Sequence, residues 1–396
     1  MKKIFYTLAI LIIATTAIKA QNNDSVVQYQ NTAQRLLSAN KGFTIGGYGQ
    51  IDYNQPISSS EFNNGTLDIH RLVLLFGYNF NDRLKFVSEV EYEHVKEVYV
   101  EQAFMQYKLN NYVNLQGGLL LIPMGIVNEY HEPPAYNGVE RPMVDKYIVP
   151  TTWREIGFGV NGNIIEASLK YQLYVVNGFN GYDGSSHFSA KNGLRKGRQK
   201  GADSYISAPN YSAKVDYYGL RGLNIGLSGY YGKSQSTAYD GLDKSDEQAI
   251  KSADSTVINM AMIGIDFRYQ LKGLALRGQF IYSNLGNTDQ YNQMLNTDMG
   301  SAMLGYYAEV GYDVFSLSSK FKSQLIPFVR YEVYNTQHKV EGNIQKEDKY
   351  NTSIITTGVS WKMTPQVVVK ADYQFYKTAA ESNYNQMFNA GIGMMF

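Results

Sequence analysis

From Phe43 onward the chain breaks into segments of about ten residues in which apolar side chains alternate with polar or very small ones. The last segment shows it best: Tyr384, Phe388, Ala390, Ile392, Met394 and Phe396 alternate with Asn385, Asn389, Gly391 and Gly393. A period of two describes a strand with one apolar and one polar face. About ten residues is also the length a tilted strand needs to cross a bilayer. No stretch after the first twenty residues is long and apolar enough for a spanning helix. Lipid admits only helices and closed barrels, because every backbone polar group must find a partner inside the protein.

The alternating segments number sixteen: 43–52, 67–80, 84–93, 99–109, 113–122, 154–161, 164–176, 211–218, 223–232, 257–270, 274–283, 303–312, 324–334, 352–362, 366–376 and 384–396. Their connections alternate between mostly tight turns (Asn81-Asp82-Arg83, Gly162-Asn163, Leu271-Lys272-Gly273) and more generous loops (123–153, 177–210, 233–256). A sandwich or propeller has no reason to alternate in this way. The pattern predicts an all-β, transmembrane, 16-stranded antiparallel β-barrel with short periplasmic turns and long extracellular loops. An even strand number puts both ends of the barrel on the periplasmic side. The 34 tyrosines suit a membrane interface, with rings in the apolar zone and hydroxyls in water.

Residues 1–20 read as a cleaved signal peptide. Lys2 and Lys3 precede an apolar run from Phe5 to Ile13, and Ala17-Ile18-Lys19-Ala20 forms a small-residue exit. Export to the bacterial outer membrane follows. Without Lys2, Lys3 and Lys19, the 36 basic and 35 acidic residues become a formal charge of −2. That balance gives no reason to expect nucleic acid as a partner; the expected surroundings are outer-membrane lipid. The absence of cysteine excludes a disulfide framework. Residues 21–42 form a short N-terminal periplasmic segment, as one short helix or a loose stretch, and 43–396 form the barrel.

Alternation assigns faces. Leu72, Leu74, Phe76, Tyr78, Phe86, Val90, Ile263, Ile265 and Phe267 point to lipid. A charge there at mid-membrane costs about 2–4 kcal/mol, which enforces the phase. The inward set is Arg71, Lys85, Lys170, Lys214, Arg268, Arg277, Arg330 and Lys370 with Glu89, Glu91, Glu166, Asp216, Asp266, Glu309, Glu332 and Asp372. Such charges need water or partners, and a sixteen-strand barrel is wide enough to hold an aqueous channel. The same alternation puts Glu101 on the lipid face beside Ala103 and Met105, at the interface. It puts Pro327 mid-strand on that face, where a bulge or a missing ladder bond is needed.

Two loops stand out. Residues 123–153 carry five of the nine prolines and the charges Glu129, His131, Glu132, Glu140, Arg141, Asp145 and Lys146. This stiff loop follows the fifth strand and is expected to fold inward as the constriction. Residues 191–200 place Lys191, Arg195, Lys196, Arg198 and Lys200 in ten positions. A basic loop at a pore mouth concentrates anions; on an outer surface it would bind anionic saccharide.

These stretches bring a family into view. Leu72–Phe86, Gly118–Trp153, Ile156–Val160, Leu194–Gly201, Tyr211–Tyr217, Pro327–Asn335 and Thr364–Gln374 resemble sixteen-strand porins of the phosphate-selective O/P type. The final strand ending on Phe396 resembles the terminal signature of outer-membrane barrels. The resemblance implies a water-filled channel for passive diffusion of small hydrophilic solutes or ions, with anions such as phosphate among them, and trimers as the common assembly. Members of that family known for phosphate carry a lumenal arginine ladder; here only Arg71, Arg268, Arg277 and Arg330 are inward candidates, each with acids nearby. No cofactor, metal or enzyme motif is expected: the five histidines are scattered, and Gly46-Gly47-Tyr48-Gly49 lies inside a strand with no helix after it. His131 beside Glu129 and Glu132 offers metal-ligand types in one place, but loop charge is the preferred reading. The alternative is a non-channel structural or adhesive barrel.

Overall fold

The structure, a computed structural model, describes residues 31–38, 42–58 and 60–396. The signal peptide expected over 1–20 lies outside the described residues. Sixteen strands form one closed antiparallel barrel. They are β1 Gly42–Ile57, β2 Thr66–Asn79, β3 Leu84–Glu93, β4 Glu97–Lys108, β5 Asn114–Leu121, β6 Arg154–Ile164, β7 Leu169–Val176 and β8 Asn210–Leu220. They continue as β9 Leu223–Lys233, β10 Asn259–Leu271, β11 Leu274–Gly286, β12 Ala302–Tyr312, β13 Gln324–Lys339, β14 Asn351–Thr364, β15 Val367–Thr378 and β16 Asn385–Met395. Each pairs with its neighbour in sequence, and β1 closes on β16 through Tyr48↔Met395 to Ile57↔Gln386. Two short strands in the loops, Asn180–Tyr182 and Gln235–Ser236, pair with each other outside this ring.

At one end of the barrel the connections are 80–83, 109–113, 165–168, 221–222, 272–273, 313–323 and 365–366; the other end carries 122–153, 177–209, 234–258 and 287–301 among its loops. Leu72, Tyr78, Ile263, Ile265, Phe267 and Val310 stand exposed on the outer face, while their neighbours along each strand are buried. Two side chains depart from strict alternation. Glu89 pairs with Gln102 and Val90 with Val100, so Glu101 is the extra residue of a bulge. It is fully buried on the inner side, not placed at the lipid interface as the alternation predicts. Glu166 is also moved: β6 runs on to Ile164, which leaves Glu166 exposed in the turn, accepting from the Tyr112 hydroxyl at 3.0 Å.

Pro327 is accommodated without a bulge. The Leu325 N–H points to Asp313, on the β12 side, and strand geometry turns position 327 the same way. The β12 ladder has already stopped at Gly311↔Phe328, whereas Pro327↔Val359 continues without a shift on the β14 side. The missing donor therefore falls where no ladder partner waits.

The interior is filled rather than hollow. A buried apolar cluster joins Ile122, Met124, Val144, Ile148, Val149 and Trp153 of the third long loop to Phe179, Phe188 and Leu194 of the fourth. Inward residues of the wall, among them Tyr230, Met260, Met262, Ile281, Met303 and Tyr307, complete it. From the other end, helix α1 (Thr32–Ser38) lies against β1, β2 and β3 with Ala33 and Leu36 buried. Gly46 is the seat that permits this approach: a Cβ there would stand 3.1 Å from Thr32 Cγ2. Residues 32–38 of the 21–42 segment thus form a helix inside the barrel.

Candidate functional site

The loop 122–153 enters the barrel and is braced at its base by one residue. Asn128 donates to the carbonyls of Ile122 (2.7 Å) and Trp153 (2.9 Å) and accepts from the Trp153 N–H at 2.7 Å. These bonds join the descending and returning limbs, and Asn128, Trp153 and Ile122 are all fully buried. Gly125 adopts a left-handed φ of 72° that lets the chain turn beside Gln279 on β11.

The wall charges named from the sequence hold this loop. Lys214 donates to Glu129 at 2.8 Å and to the Gly125 carbonyl at 2.9 Å, and stands 3.3 Å from Asp266 and 4.0 Å from Asp216. Lys170 lies 3.7 Å from the other Glu129 oxygen. Arg268 lies over the Tyr130 ring at 4.2 Å. Arg277 pairs with Glu309 at 3.1 Å and donates to the Ala135 carbonyl. Arg330 lies between Glu309 (3.5 Å) and Glu332 (3.4 Å) and donates to the Glu140 carbonyl. Glu332 accepts from the Met143 N–H at 2.5 Å, just ahead of α2 (Val144–Tyr147). Lys370 donates to the Gly138 carbonyl at 2.8 Å and lies over the Tyr136 ring at 3.8 Å, while Asp372 accepts from the Val139 N–H at 2.6 Å. Arg71 faces Glu91 at 4.0 Å, and Glu89 accepts from Tyr48 at 2.9 Å. Lys85 donates to the Leu37 carbonyl of α1. The wall pairs as much with loop backbone as across strands, so most of it is sealed from water.

At the turn end, α1 touches the same loop. Glu132 accepts from the Thr32 N–H at 2.6 Å and from its hydroxyl at 2.8 Å, and Asn31 donates to the Glu129 carbonyl at 2.8 Å. The helix and the loop therefore meet inside the barrel.

At the loop end the basic segment folds inward instead of lying across the mouth. Arg198 donates to the carbonyls of Pro150 (3.2 Å) and Thr152 (3.1 Å), and Arg195 donates to that of Thr151. Lys200 lies over the Tyr99 ring at 4.4 Å. Lys191 and Lys196 remain exposed. Arg195, Arg198 and Lys200 thereby converge with Arg71, Arg141, Lys146 and Arg154 around a cavity of about 130 Å³. Its acidic lining is Glu91, Glu93, Glu140 and Asp145. The Nε atoms of Arg141 and Arg154 are buried there with no hydrogen-bond partner among the described residues, and Arg154 is 2% exposed. A guanidinium N–H buried unpaired is costly and attracts an acceptor. Burial and the neighbouring Arg195 push Arg198 down to about 9, and burial pushes Asp145 up to about 7 despite its bond from Gln279. Arg154 escaped the sequence reading because it opens β6 beside Glu155, where its face is ambiguous.

No protein-family model matches the chain. An uncharacterized protein of Aquifex aeolicus (strain VF5) is 30% identical over 384 residues, covering 92% of this chain and 82% of that protein. The chain belongs to the family of that Aquifex protein. Among solved structures, it is similar to Salmonella typhi OmpF in complex with daunomycin, 12% identical with a TM-score of 0.58, over 89% of this chain and 97% of that one. An anion-selective porin from Comamonas acidovorans is 11% identical with a TM-score of 0.57, over 90% and 99% of the two chains. The trimer form of OmpT from Vibrio cholerae is 12% identical with a TM-score of 0.52, over 90% and 100%. At such identities the likeness is one of fold: this chain shares the sixteen-strand barrel of bacterial outer-membrane porins.

Proposed function

We propose that the chain is an outer-membrane porin, a passive channel for small hydrophilic solutes with a preference for small anions. The observation that carries this reading is the inward-folded basic segment. It adds Arg195, Arg198 and Lys200 to Arg71, Arg141, Lys146 and Arg154 around one cavity at the loop end. Fixed cations in a narrow, poorly screened vestibule raise the local anion concentration and oppose cation entry. Phosphate is one such anion, in keeping with the resemblance to phosphate-selective porins. At the turn end, Arg268, Arg277 and Lys362 border a second cavity of about 250 Å³, so the cationic lining recurs there.

In this reading the pore-lining residues and the two loops named from the sequence act together. The wall residues anchor loop 122–153, which narrows the bore, and the 191–200 segment supplies the sign of selectivity. Residues 1–20 direct export, the turn end faces the periplasm, and the barrels associate as trimers, as OmpT of Vibrio cholerae does in its trimer form. Transport of this kind needs no cofactor and no catalytic residue. One observation favours the structural or adhesive alternative: loop 122–153 and α1 fill much of the lumen. Recording from a planar bilayer decides between them. Discrete conductance steps with an anion-directed reversal potential support the channel; a silent membrane with correctly folded protein supports the structural barrel.

A further inference from the structure

One cluster inside the barrel stands apart from the cationic vestibule. His131 of the infolded loop points its Nε2 between Glu89 on β3 and Glu101 on β4, at 3.4 Å from one oxygen of each. The Tyr48 hydroxyl of β1 stands 2.9 Å from the same Glu89 oxygen and 3.4 Å from the same Glu101 oxygen. All four side chains are buried.

The outward-turned atoms fix how these side chains present themselves. His131 Nδ1 lies 3.2 Å from the Asn128 carbonyl. A carbonyl can only accept, so Nδ1 carries a hydrogen, and Nε2 is left to face two carboxylate oxygens. Gln102 donates to the second oxygen of Glu89 at 2.5 Å. Among the described residues the second oxygen of Glu101 has no hydrogen-bond partner, and it lies 3.7 Å from Arg154. A neutral Nε2 and two carboxylate oxygens aimed at one point repel one another unless a proton or a metal cation lies between them, and His131 and Glu89 are each oriented from behind. This is the arrangement in which an outer shell orients metal ligands. The spacing agrees with it: metal–ligand bonds of about 2.0–2.1 Å at tetrahedral angles separate the ligand atoms by about 3.3–3.4 Å.

We propose that Glu89, Glu101 and His131 form a structural site for a divalent transition metal of the zinc type. Tyr48 or a water takes the fourth position, and the free Glu101 oxygen allows bidentate binding. Imidazole with carboxylate oxygens suits zinc over magnesium or calcium. The metal staples the infolded loop to β3 and β4, and the bulge that turned Glu101 inward creates the ligand set. Burial makes the site one that fills as the barrel assembles, so metal binding and loop docking are linked. Its competitor is a proton on His131, which would satisfy the same two carboxylates.

The test folds the full chain in detergent with Zn²⁺ or with Co²⁺, removes free metal by gel filtration, and measures retained metal. About one Zn²⁺ per chain is expected, together with the visible absorption of tetrahedral Co²⁺. Glu101→Gln and His131→Gln, each verified as a folded barrel by heat-modifiable migration, should lose it, with affinity down at least about 10-fold. His94→Ala is the control, because Asp68, His70 and His94 bring ligand atoms together at the loop-end rim. Wild-type protein that retains neither metal overturns the proposal and leaves a protonated His131 as the occupant. Metal lost in His94→Ala but kept in Glu101→Gln overturns it equally. Should both site variants fail to fold, the wild-type stoichiometry and Co²⁺ spectrum still decide.

Discussion

Arg198 donates to the carbonyl of Pro150 at 3.2 Å, and this bond ties the fourth long loop to the third inside the barrel. The basic segment is therefore both a source of positive potential and a brace for the constriction. The two roles are separable because Lys196 is exposed. Lys196→Gln with Lys146→Gln should move the reversal potential toward cations in low salt while unitary conductance changes little. Screening lengths fall from about 10 Å at 0.1 M to about 3 Å at 1 M, so the shift should fade in high salt. Arg198→Gln should show the same shift and, in addition, noisier open-channel current as the brace is lost. Reversal potentials and current variance from single channels measure both.

Selectivity should depend on pH with a definite sign. Asp145 is held up to about 7 by burial, with Glu332 opposing its ionisation and Arg330 favouring it. Arg198 is held down to about 9 by burial. As pH rises through 7, Asp145 gains a negative charge, and toward 9 Arg198 loses its positive one. Both changes lower the potential of the vestibule, so anion preference should fall stepwise between pH 6 and about 10. Asp145→Asn should abolish the lower step and leave the upper one, read as reversal potential against pH.

Much of the barrel was legible because its signal is repeated. Sixteen weak alternating segments reinforce one another through their connections, and the phase of Ile263, Ile265 and Phe267 admits one lipid-facing assignment. Alternation misplaces Glu101 because a single bulge reverses the phase beyond it, and nothing in Val100-Glu101-Gln102 marks the inserted residue. The sequence groups His131 with its neighbours Glu129 and Glu132, yet these turn to Lys214 and Thr32. Its partners Glu89 and Glu101 come from strands tens of residues away. The inward course of 191–200 was equally hidden, since it depends on the carbonyls of 150–152 rather than on any residue type.

The meeting of α1 with the constriction loop predicts a plug. Thr32 donates twice to Glu132, each a hydrogen bond to a charged acceptor worth about 1.5–3 kcal/mol. Deletion of residues 21–41 should raise unitary conductance and leave heat-modifiable barrel migration intact, because β1 begins at Gly42. Glu132→Gln should give intermediate behaviour, with flickering between two conductance levels as the helix loosens. Unchanged conductance in the deletion would mean that the bore is limited elsewhere.

The last prediction concerns Lys214, whose ammonium is fully buried among Glu129, Asp216 and Asp266. The cluster couples β8 and β10 to the loop: Lys214 faces all three carboxylates, and Lys170 of β7 reaches Glu129 alone. Lys214→Met keeps the volume of the stem and removes the charge. The carboxylates would then face one another in a poorly solvated interior, and loss of one partner from such a group costs about 3–5 kcal/mol. The expected result is a lower urea midpoint for barrel unfolding, with loop 122–153 becoming susceptible to protease before the strands separate. Lys214→Met with Glu129→Gln removes an opposing charge at the same place and should recover part of the loss, so the two changes should be non-additive. If the double variant is instead as unstable as the sum of the single ones, Glu129 and Lys214 are not coupled, and the loop is held by its apolar contacts around Trp153.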